Sequence, residues 1–233
     1  MIPILVKAGK RVIAPDLIGF GKSDKLPTRE QYTYERHVEW TYNIIKILNL
    51  DNITLFGQDW GGLIGLRLVA NQPELFKGMV LANTSLPIGK GTSEGFEAWK
   101  KYSQEVEVFD SGKIVQNASL KKLTDDEIQA YNAPFPDDTY LACARQFPTL
   151  VPMNPDDPSV NENIAAWEIL KTFDKPVLTI FGSKDRVMLG AEKFFQSKIP
   201  GTSNMNHQIV EAAHFIQEDQ PELLAESIIT LYQ

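Results

Sequence analysis

Short apolar stretches rich in β-branched residues alternate along the chain with longer stretches of helical periodicity. The apolar stretches predict strands over residues 11–15, 53–57, 79–82, 177–182 and 207–211. The helical periodicity predicts helices over residues 33–48, 61–71, 191–198 and 221–231. This alternation is typical of an α/β fold, in which a mostly parallel sheet is covered by helices on both faces.

The pattern changes between residues 86 and 173. Helical pieces in this segment are interrupted by an Asn-Ala-Pro-Phe-Pro-Asp-Asp run at 132–138 and by Pro152, Pro155 and Pro158. A segment of this length between two strands is too long for a simple crossover loop. We therefore predict an inserted helical cap over residues 86–173, which divides the α/β core into residues 1–85 and 174–233.

Charge and composition narrow the classes of partner. The net charge of −7 over 233 residues gives no basic surface for a nucleic acid. The single cysteine, Cys143, excludes an intramolecular disulfide, which fits a cytoplasmic location. Because no signal peptide is recognisable and no run approaches the roughly 18 apolar residues that span a bilayer, we expect no membrane association.

The densest chemical signal is the stretch from Gly57 to Gly61, which follows an apolar strand and opens a helix. It reads Gly-Gln-Asp-Trp-Gly and has the form Gly-x-nucleophile-x-Gly, a sharp strand-to-helix turn that exposes its central side chain. The central residue is Asp59, where many such turns carry serine. The alternative is that Asp59 merely caps the following helix.

An aspartate in this position changes the chemistry that the site can perform. A carboxylate is already ionised at neutral pH, so it needs no base to become a nucleophile. A nearby histidine is then free to activate water. The suitable substrate is an sp³ carbon with a leaving group, which the carboxylate attacks to give an ester that water hydrolyses.

The base and its acid partner are predicted from chain order, which in folds with this turn runs nucleophile, acid, base. Of the three histidines, His214 follows the last predicted strand and is the candidate base, whereas His37 and His207 are expected to have structural roles. Asp185 follows the strand at 177–182 and is the candidate acid. The other position for the acid, after the strand at 79–82, holds Asn83, which cannot carry the charge.

A departing halide needs hydrogen-bond donors in a dry pocket, and an indole N–H is a donor on an apolar body. Trp60 directly follows the nucleophile, and Trp99 lies early in the predicted cap. We predict that these two side chains bind the halide. Trp40 and Trp167 lie on helical stripes and are interpreted as core residues.

Together these motifs resemble those of the haloalkane dehalogenases, which have the α/β-hydrolase fold. The stretch 11–25, the turn at 58–62 and the Gly-Ser-Lys-Asp at 182–185 are similar to the family's motifs, and Gln58, Asn83 and Trp99 resemble the subfamily of the 1,2-dichloroethane-degrading enzyme. The resemblance implies that Asp59 is the nucleophile, that Asp185 and His214 complete the triad, that Trp60 and Trp99 bind halide, and that Phe96 lines the substrate pocket.

Members of that family have further strands and a His-Gly-x-Pro motif ahead of the region that resembles this chain. One of those strands lies beside the strand at 53–57, and the motif supplies an oxyanion donor. We expect the sheet of this chain to lack these N-terminal strands. The loss of one such donor costs on the order of 3 kcal/mol of transition-state stabilisation, so we expect weakened activity.

Two other functions fit part of the sequence. An epoxide hydrolase shares the Asp nucleophile and the cap but uses cap tyrosines, for which Tyr102, Tyr131 and Tyr140 are available. An inactive, partner-binding remnant of the fold is the second alternative. The hydrolytic interpretation involves a small haloalkane, a halide ion and water, requires no cofactor or metal, and is expected of a monomer.

Overall fold

The computed structural model describes residues 1–232 as an α/β structure built on one parallel sheet. The strands are β1 (Ile53–Gln58), β2 (Phe76–Ala82), β3 (Val177–Gly182) and β4 (Gln208–Val210). The helices are α1 (Ile2–Lys7), α2 (Tyr34–Ile47), α3 (Trp60–Asn71), α4 (Glu94–Glu105), α5 (Ser111–Asn117), α6 (Asp125–Asn132), α7 (Ala142–Leu150), α8 (Val160–Leu170), α9 (Glu192–Lys198), α10 (Ile216–Asp219) and α11 (Pro221–Thr230). The predicted fold class is confirmed.

The four strands lie in the order β1-β2-β3-β4, and every neighbouring pair is parallel. All four carboxyl ends therefore meet at one edge of the sheet. Because loops at this edge carry the chemistry of open α/β sheets, the topology brings residues distant in sequence to one place. Four of the five predicted strands match these elements to within a few residues.

The prediction of a strand over residues 11–15 is wrong. These residues form no strand, and Ile13 is 40% exposed. An extended segment becomes a strand only where a neighbour accepts and donates its backbone hydrogen bonds. Within residues 1–232 no such neighbour lies beside residues 11–15, and no strand pairs with the outer edge of β1.

Alternation along β2 explains why both faces of the sheet are covered. Met79 and Leu81 point into a large core shared with α2, α3 and α8, whereas Val80 and Ala82 point into a smaller core that includes Leu224 of α11. Successive side chains of a strand point to opposite faces, so this pattern requires helices on both sides. The strand β3 is buried along its whole length.

Helices α4 to α8 all lie in the connection between β2 and β3. The N-termini of α4, α5 and α6 carry side-chain caps: Ser93 accepts from the N–H of Phe96, Asp110 accepts from the N–H of Lys113, and Thr124 forms a capping box with Glu127. Helix α7 contains Pro148, which removes one backbone hydrogen bond from its last turn. The connection is thus helical, in the place where the sequence predicts a cap.

Helix α3 packs closely against the loop after β2, and the contact lies at Gly62. A substitution at this glycine tests the packing. A Cβ added at Gly62 would collide with the side chain of Thr84, whereas a Cβ at Gly61 would meet nothing within 4 Å. We expect Gly62→Ala to lower the free energy of unfolding by about 1–3 kcal/mol, because overpacking forces side chains or backbone to shift. Urea unfolding measures the change.

The matched control is Gly61→Ala, on the same helix turn. Because alanine favours the helix over glycine by up to about 1 kcal/mol, this variant is expected to be neutral or more stable. Equal destabilisation by both variants would contradict the packing at Gly62.

Candidate active site

The chain turns sharply at Asp59, between the end of β1 and the start of α3. Its backbone has φ 47° and ψ −124°, a conformation that residues other than glycine rarely adopt and that is found at functional sites. Strand and helix approach so closely that a Cβ at Gly57 would lie 2.8 Å from the Cα of Gly62. The carboxylate of Asp59 makes no hydrogen bond that caps α3, so the helix-capping alternative is wrong.

Two hydrogen bonds from the loop after β2 hold this turn. The N–H of Asp59 donates to the carbonyl of Asn83 at 3.0 Å. The hydroxyl of Thr84 donates to the carbonyl of Asp59 at 2.8 Å. The backbone of the turn is fixed on both sides, while the carboxylate, with 37% of its side chain exposed, stays free to react.

Asp185 and His214 meet at the same edge of the sheet. The Nδ1 of His214 lies 3.0 Å from Oδ2 of Asp185. The other oxygen, Oδ1, accepts the backbone N–H groups of Val187 at 2.8 Å and Met188 at 3.2 Å. Burial would raise the pKa of Asp185, but the bond to His214 and these two donors outweigh it and lower the pKa below its ordinary value. Asp185 is therefore an ionised, fully buried partner for the imidazole.

The other ring nitrogen of His214 faces Asp59. Its Nε2 lies 3.7 Å from Oδ1 of Asp59, close enough for attraction between charges but too far for a direct hydrogen bond. Burial would lower the pKa of His214, but Asp185 and Asp59 together outweigh it and raise the pKa to about 10. The raised pKa favours the protonated imidazole near neutral pH, in its place between the two carboxylates.

Two side-chain amides also reach the loop that carries His214. Gln58 donates to the carbonyl of His214 at 3.0 Å, and Asn83 donates to the carbonyls of Ala213 at 2.8 Å and His214 at 2.9 Å. The sequence marks both residues by their resemblance to the subfamily and by their position at the carboxyl end of an apolar strand. It does not predict their contact with the loop of His214.

The two tryptophans predicted to bind halide, Trp60 and Trp99, pack against other aromatic rings. The indole of Trp60 packs against Tyr34 and Phe147, with ring centroids 5.1 Å and 4.5 Å away. The indole of Trp99 packs against Tyr102 and Phe109. Within residues 1–232 neither indole N–H donates a hydrogen bond to protein, and no ring contact joins the two indoles.

Phe96 is 4% exposed and lines a cleft of about 420 Å³. Val187 and Met188, whose N–H groups hold Asp185, also line this cleft, and Asp59 is not among its lining residues. The cleft therefore reaches the loop of Asp185 and not Asp59 itself.

The other two histidines make contacts away from the triad. His37 is 1% exposed and packs edge-on against Trp40 and Phe147. His207 accepts the N–H of Thr179 at 3.1 Å and contacts the carbonyl of Thr202 at 3.0 Å. Burial lowers the pKa of both rings, so both are neutral near pH 7.

The described part of the chain contains no group of three or more His, Cys, Asp or Glu side chains that could hold a metal ion. In the same residues, no helix is both long and apolar enough to cross a bilayer.

The charge of His214 predicts a pH dependence of stability. Because its pKa rises from 6.5 to about 10 on folding, its stabilising contribution is complete below about pH 6.5 and is lost as the pH rises through about 10. We expect the free energy of unfolding to fall over this interval, measured by urea unfolding at a series of pH values. In His214→Gln the fall should be smaller, and an equal fall in both proteins would contradict the raised pKa.

Comparison with known proteins agrees with this geometry. A family model described as the alpha/beta hydrolase fold matches residues 1–221. A curated haloalkane dehalogenase of Psychrobacter cryohalolentis is 50% identical over 231 residues, which are 98% of this chain and 76% of that protein. A haloalkane dehalogenase of Mycolicibacterium paratuberculosis is 44% identical over 234 residues, which are 100% of this chain and 78% of that protein.

Solved structures show the same relationship. The tetrameric haloalkane dehalogenase DpaA from Paraglaciecola agarilytica NO2 superposes with a TM-score of 0.91 at 32% identity, over 97% of this chain and 76% of that one. The haloalkane dehalogenase DbeA from Bradyrhizobium elkani USDA94 gives a TM-score of 0.79 at 22% identity, a likeness that concerns the fold alone. With an aspartate at the strand-to-helix turn and a relative 50% identical over 98% of its length, the chain belongs to the haloalkane dehalogenases of the α/β-hydrolase fold.

Proposed function

We propose that this chain hydrolyses the carbon–halogen bond of small haloalkanes through a covalent ester on Asp59. The observation that carries the proposal is the carboxylate at the turn, 3.7 Å from a histidine that is itself held by a buried aspartate. A serine at this turn would need the histidine to remove its proton. A carboxylate does not, so the histidine serves the second step.

In the first step an oxygen of Asp59 attacks the carbon that bears the halogen. The new C–O bond forms as the carbon–halogen bond breaks, and the halide leaves with the bonding electron pair. Trp60 and Trp99 are proposed to donate their indole N–H groups to this anion. Their lack of acceptors within the described protein supports this role, and contrasts with Trp167, whose N–H donates to the carbonyl of Leu86 at 2.9 Å.

The ester changes the charge that His214 faces. Once Asp59 is esterified it carries no negative charge, so one of the two carboxylates that raise the pKa of His214 is neutralised. The imidazole then releases its proton more readily and becomes a base for water. Asp185 keeps the ring oriented by its bond to Nδ1.

In the second step His214, having released its proton to solvent, removes a proton from water as the water oxygen attacks the ester carbonyl carbon. The ester C–O bond breaks, and the leaving alkoxide takes the proton that the former water oxygen still carries. Asp59 is then again a carboxylate beside a protonated His214. The balance is one haloalkane and one water consumed, and one alcohol, one halide and one proton formed. Neither step requires a metal or an organic cofactor.

The helical segment 86–173 is proposed to cap this site and to limit the entry of water and substrate. Phe96 supports this, since it places a buried aromatic ring in the cleft beside the loop of Asp185. The core is correspondingly proposed as residues 1–85 and 174–233. The monomeric state and cytoplasmic location remain predictions, and the relative from Paraglaciecola is described as tetrameric.

The epoxide-hydrolase alternative is weakened by where the cap tyrosines lie. Tyr131 donates its hydroxyl to Glu218 at 2.6 Å. Tyr102 and Tyr140 are 46% and 40% exposed. A pair of tyrosines directed at a substrate on Asp59 is not seen among these three residues.

The nucleophile is tested by halide release from 1,2-dibromoethane and 1-bromobutane. We expect Asp59→Asn to lower the rate by at least about a thousandfold, because an amide is a poor nucleophile. In His214→Gln, one halide per chain should be released before turnover stops, with the alkyl ester found on Asp59 by mass spectrometry. Halide release that persists in Asp59→Asn would contradict the mechanism.

The halide site is tested by bromide binding, followed as quenching of tryptophan fluorescence. We expect Trp99→Phe to weaken bromide binding by about tenfold, since one charge-assisted hydrogen bond of about 1.5 kcal/mol is lost. Trp40→Phe is the matched control, because Trp40 packs against His37 on α2 and should leave the affinity unchanged. Equal affinities in the wild type and Trp99→Phe would exclude Trp99 from the site.

A further inference from the structure

We propose that the side-chain amides of Gln58 and Asn83 form a clamp on the backbone of His214 and position the base for the hydrolysis of the ester. This amide clamp rests on the proposed function, because it acts on the second step of that reaction. Among the described residues, neither amide forms a hydrogen bond with the carboxylate of Asp59 or with the imidazole ring. Both are therefore positioning residues.

Gln58 links the nucleophile strand to the base. It is the last residue of β1 and directly precedes Asp59. Its Nε2 donates to the carbonyl of His214 at 3.0 Å, across 156 positions of sequence. The same residue thus fixes the distance between the turn that carries the nucleophile and the loop that carries the base.

Asn83, which directly follows β2, is hydrogen-bonded to residues at or beyond the carboxyl ends of the other three strands. Its side chain is fully buried, accepts the N–H of Gly182 at the end of β3 at 2.8 Å, and donates to Ala213 and His214. Its own carbonyl accepts the N–H of Asp59 at 3.0 Å. The side chain of Asn83 thus holds the loop of His214 to the end of β3, whereas its backbone carbonyl holds the turn of Asp59.

The loop of His214 needs such an anchor because of the sheet order. Strand β4 is three residues long and lies three strands away from β1, about 14 Å at the usual spacing of about 4.8 Å. The chain must return over this distance to bring His214 to Asp59. The N–H of Ala213 donates to the carboxylate of Asp219 at 2.8 Å. Within residues 1–232 the carbonyl of His214 accepts hydrogen bonds only from the amides of Gln58 and Asn83.

The chemistry of the clamp suits its place. An amide N–H is a neutral donor, so it fixes a carbonyl without adding charge beside the cation of His214. A carboxylate at either position would repel the carbonyl and add a third anion to the site. Asn83 also has its oxygen and nitrogen both paired, as a fully buried amide requires.

The clamp predicts an effect on one step only. The attack of Asp59 on the haloalkane does not need His214, whereas hydrolysis of the ester does. A displacement of about 1 Å in a reacting group costs up to about a hundredfold in rate. Loosening the loop should therefore slow the second step and leave the first almost unchanged.

The experiment compares the first turnover with steady-state turnover by rapid quenching, with 1,2-dibromoethane as substrate and total halide as the readout. In Gln58→Leu we expect the first halide at a rate within about twofold of the wild type and a steady-state rate lower by at least about tenfold. Mass spectrometry should then find the ester accumulated on Asp59. The control is Gln196→Leu, a half-buried amide that donates to the hydroxyl of Thr179 at 2.8 Å, and it should keep both rates.

Asn83→Asp is the second variant, since it keeps an acceptor for Gly182 and loses the donor. Asn163→Asp is its control, because Asn163 is equally buried but donates to Pro87 at 2.7 Å. We expect a fast first release of halide followed by slow steady-state turnover in Asn83→Asp and not in Asn163→Asp. Thermal melting measures the folded fraction of both variants. If Asn83→Asp does not fold, Gln58→Leu decides.

Two results would overturn the clamp: wild-type rates in both phases of Gln58→Leu, or a fall of both phases in proportion to the folded fraction, which is what a purely structural role gives. A wild-type chain that releases no halide would instead overturn the proposed function. In that case the downfield proton NMR signal of the His214 ring N–H bound to Asp185 decides. Its shift or broadening in Gln58→Leu supports the clamp, and an unchanged signal overturns it.

Discussion

The sharp backbone turn at Asp59 is the constraint on which the site depends. A residue with φ 47° is strained, and it persists only because its surroundings hold it. The main support is Asn83, itself at φ 38°, whose carbonyl accepts the N–H of Asp59. Two strained residues at the ends of neighbouring strands thus brace each other, and the strain places one carboxylate where solvent and substrate can reach it.

In the proposed mechanism, electrostatics couples the two halves of the reaction. The imidazole of His214 lies between the buried carboxylate of Asp185 and the more exposed carboxylate of Asp59. If Asp59 attacks the substrate as proposed, it loses its charge, and this loss makes the histidine a better base when a base is first required. The order of the steps is therefore built into the arrangement of charges.

The α/β fold and the three residues that meet at the sheet edge could be predicted from the sequence, because the strand ends carry chemically distinct side chains. Asp59, Asp185 and His214 each follow an apolar strand, and parallel strands bring such positions together. The prediction of a strand at residues 11–15 was wrong because local composition does not say whether a neighbouring strand exists to pair with it. The contact of Gln58 with His214 could not be predicted, since a side-chain amide bound to a backbone carbonyl 156 positions away leaves no periodic signal.

The one thiol of the chain has a further significance in a protein with this chemistry. Haloalkanes are alkylating agents, and the sulfur nucleophile that they modify is the thiolate. Cys143 is fully buried, and burial raises the pKa of its thiol well above the ordinary value. Its sulfur is therefore protonated and out of reach, so the protein can work in the presence of a reactive substrate without being modified by it at this residue.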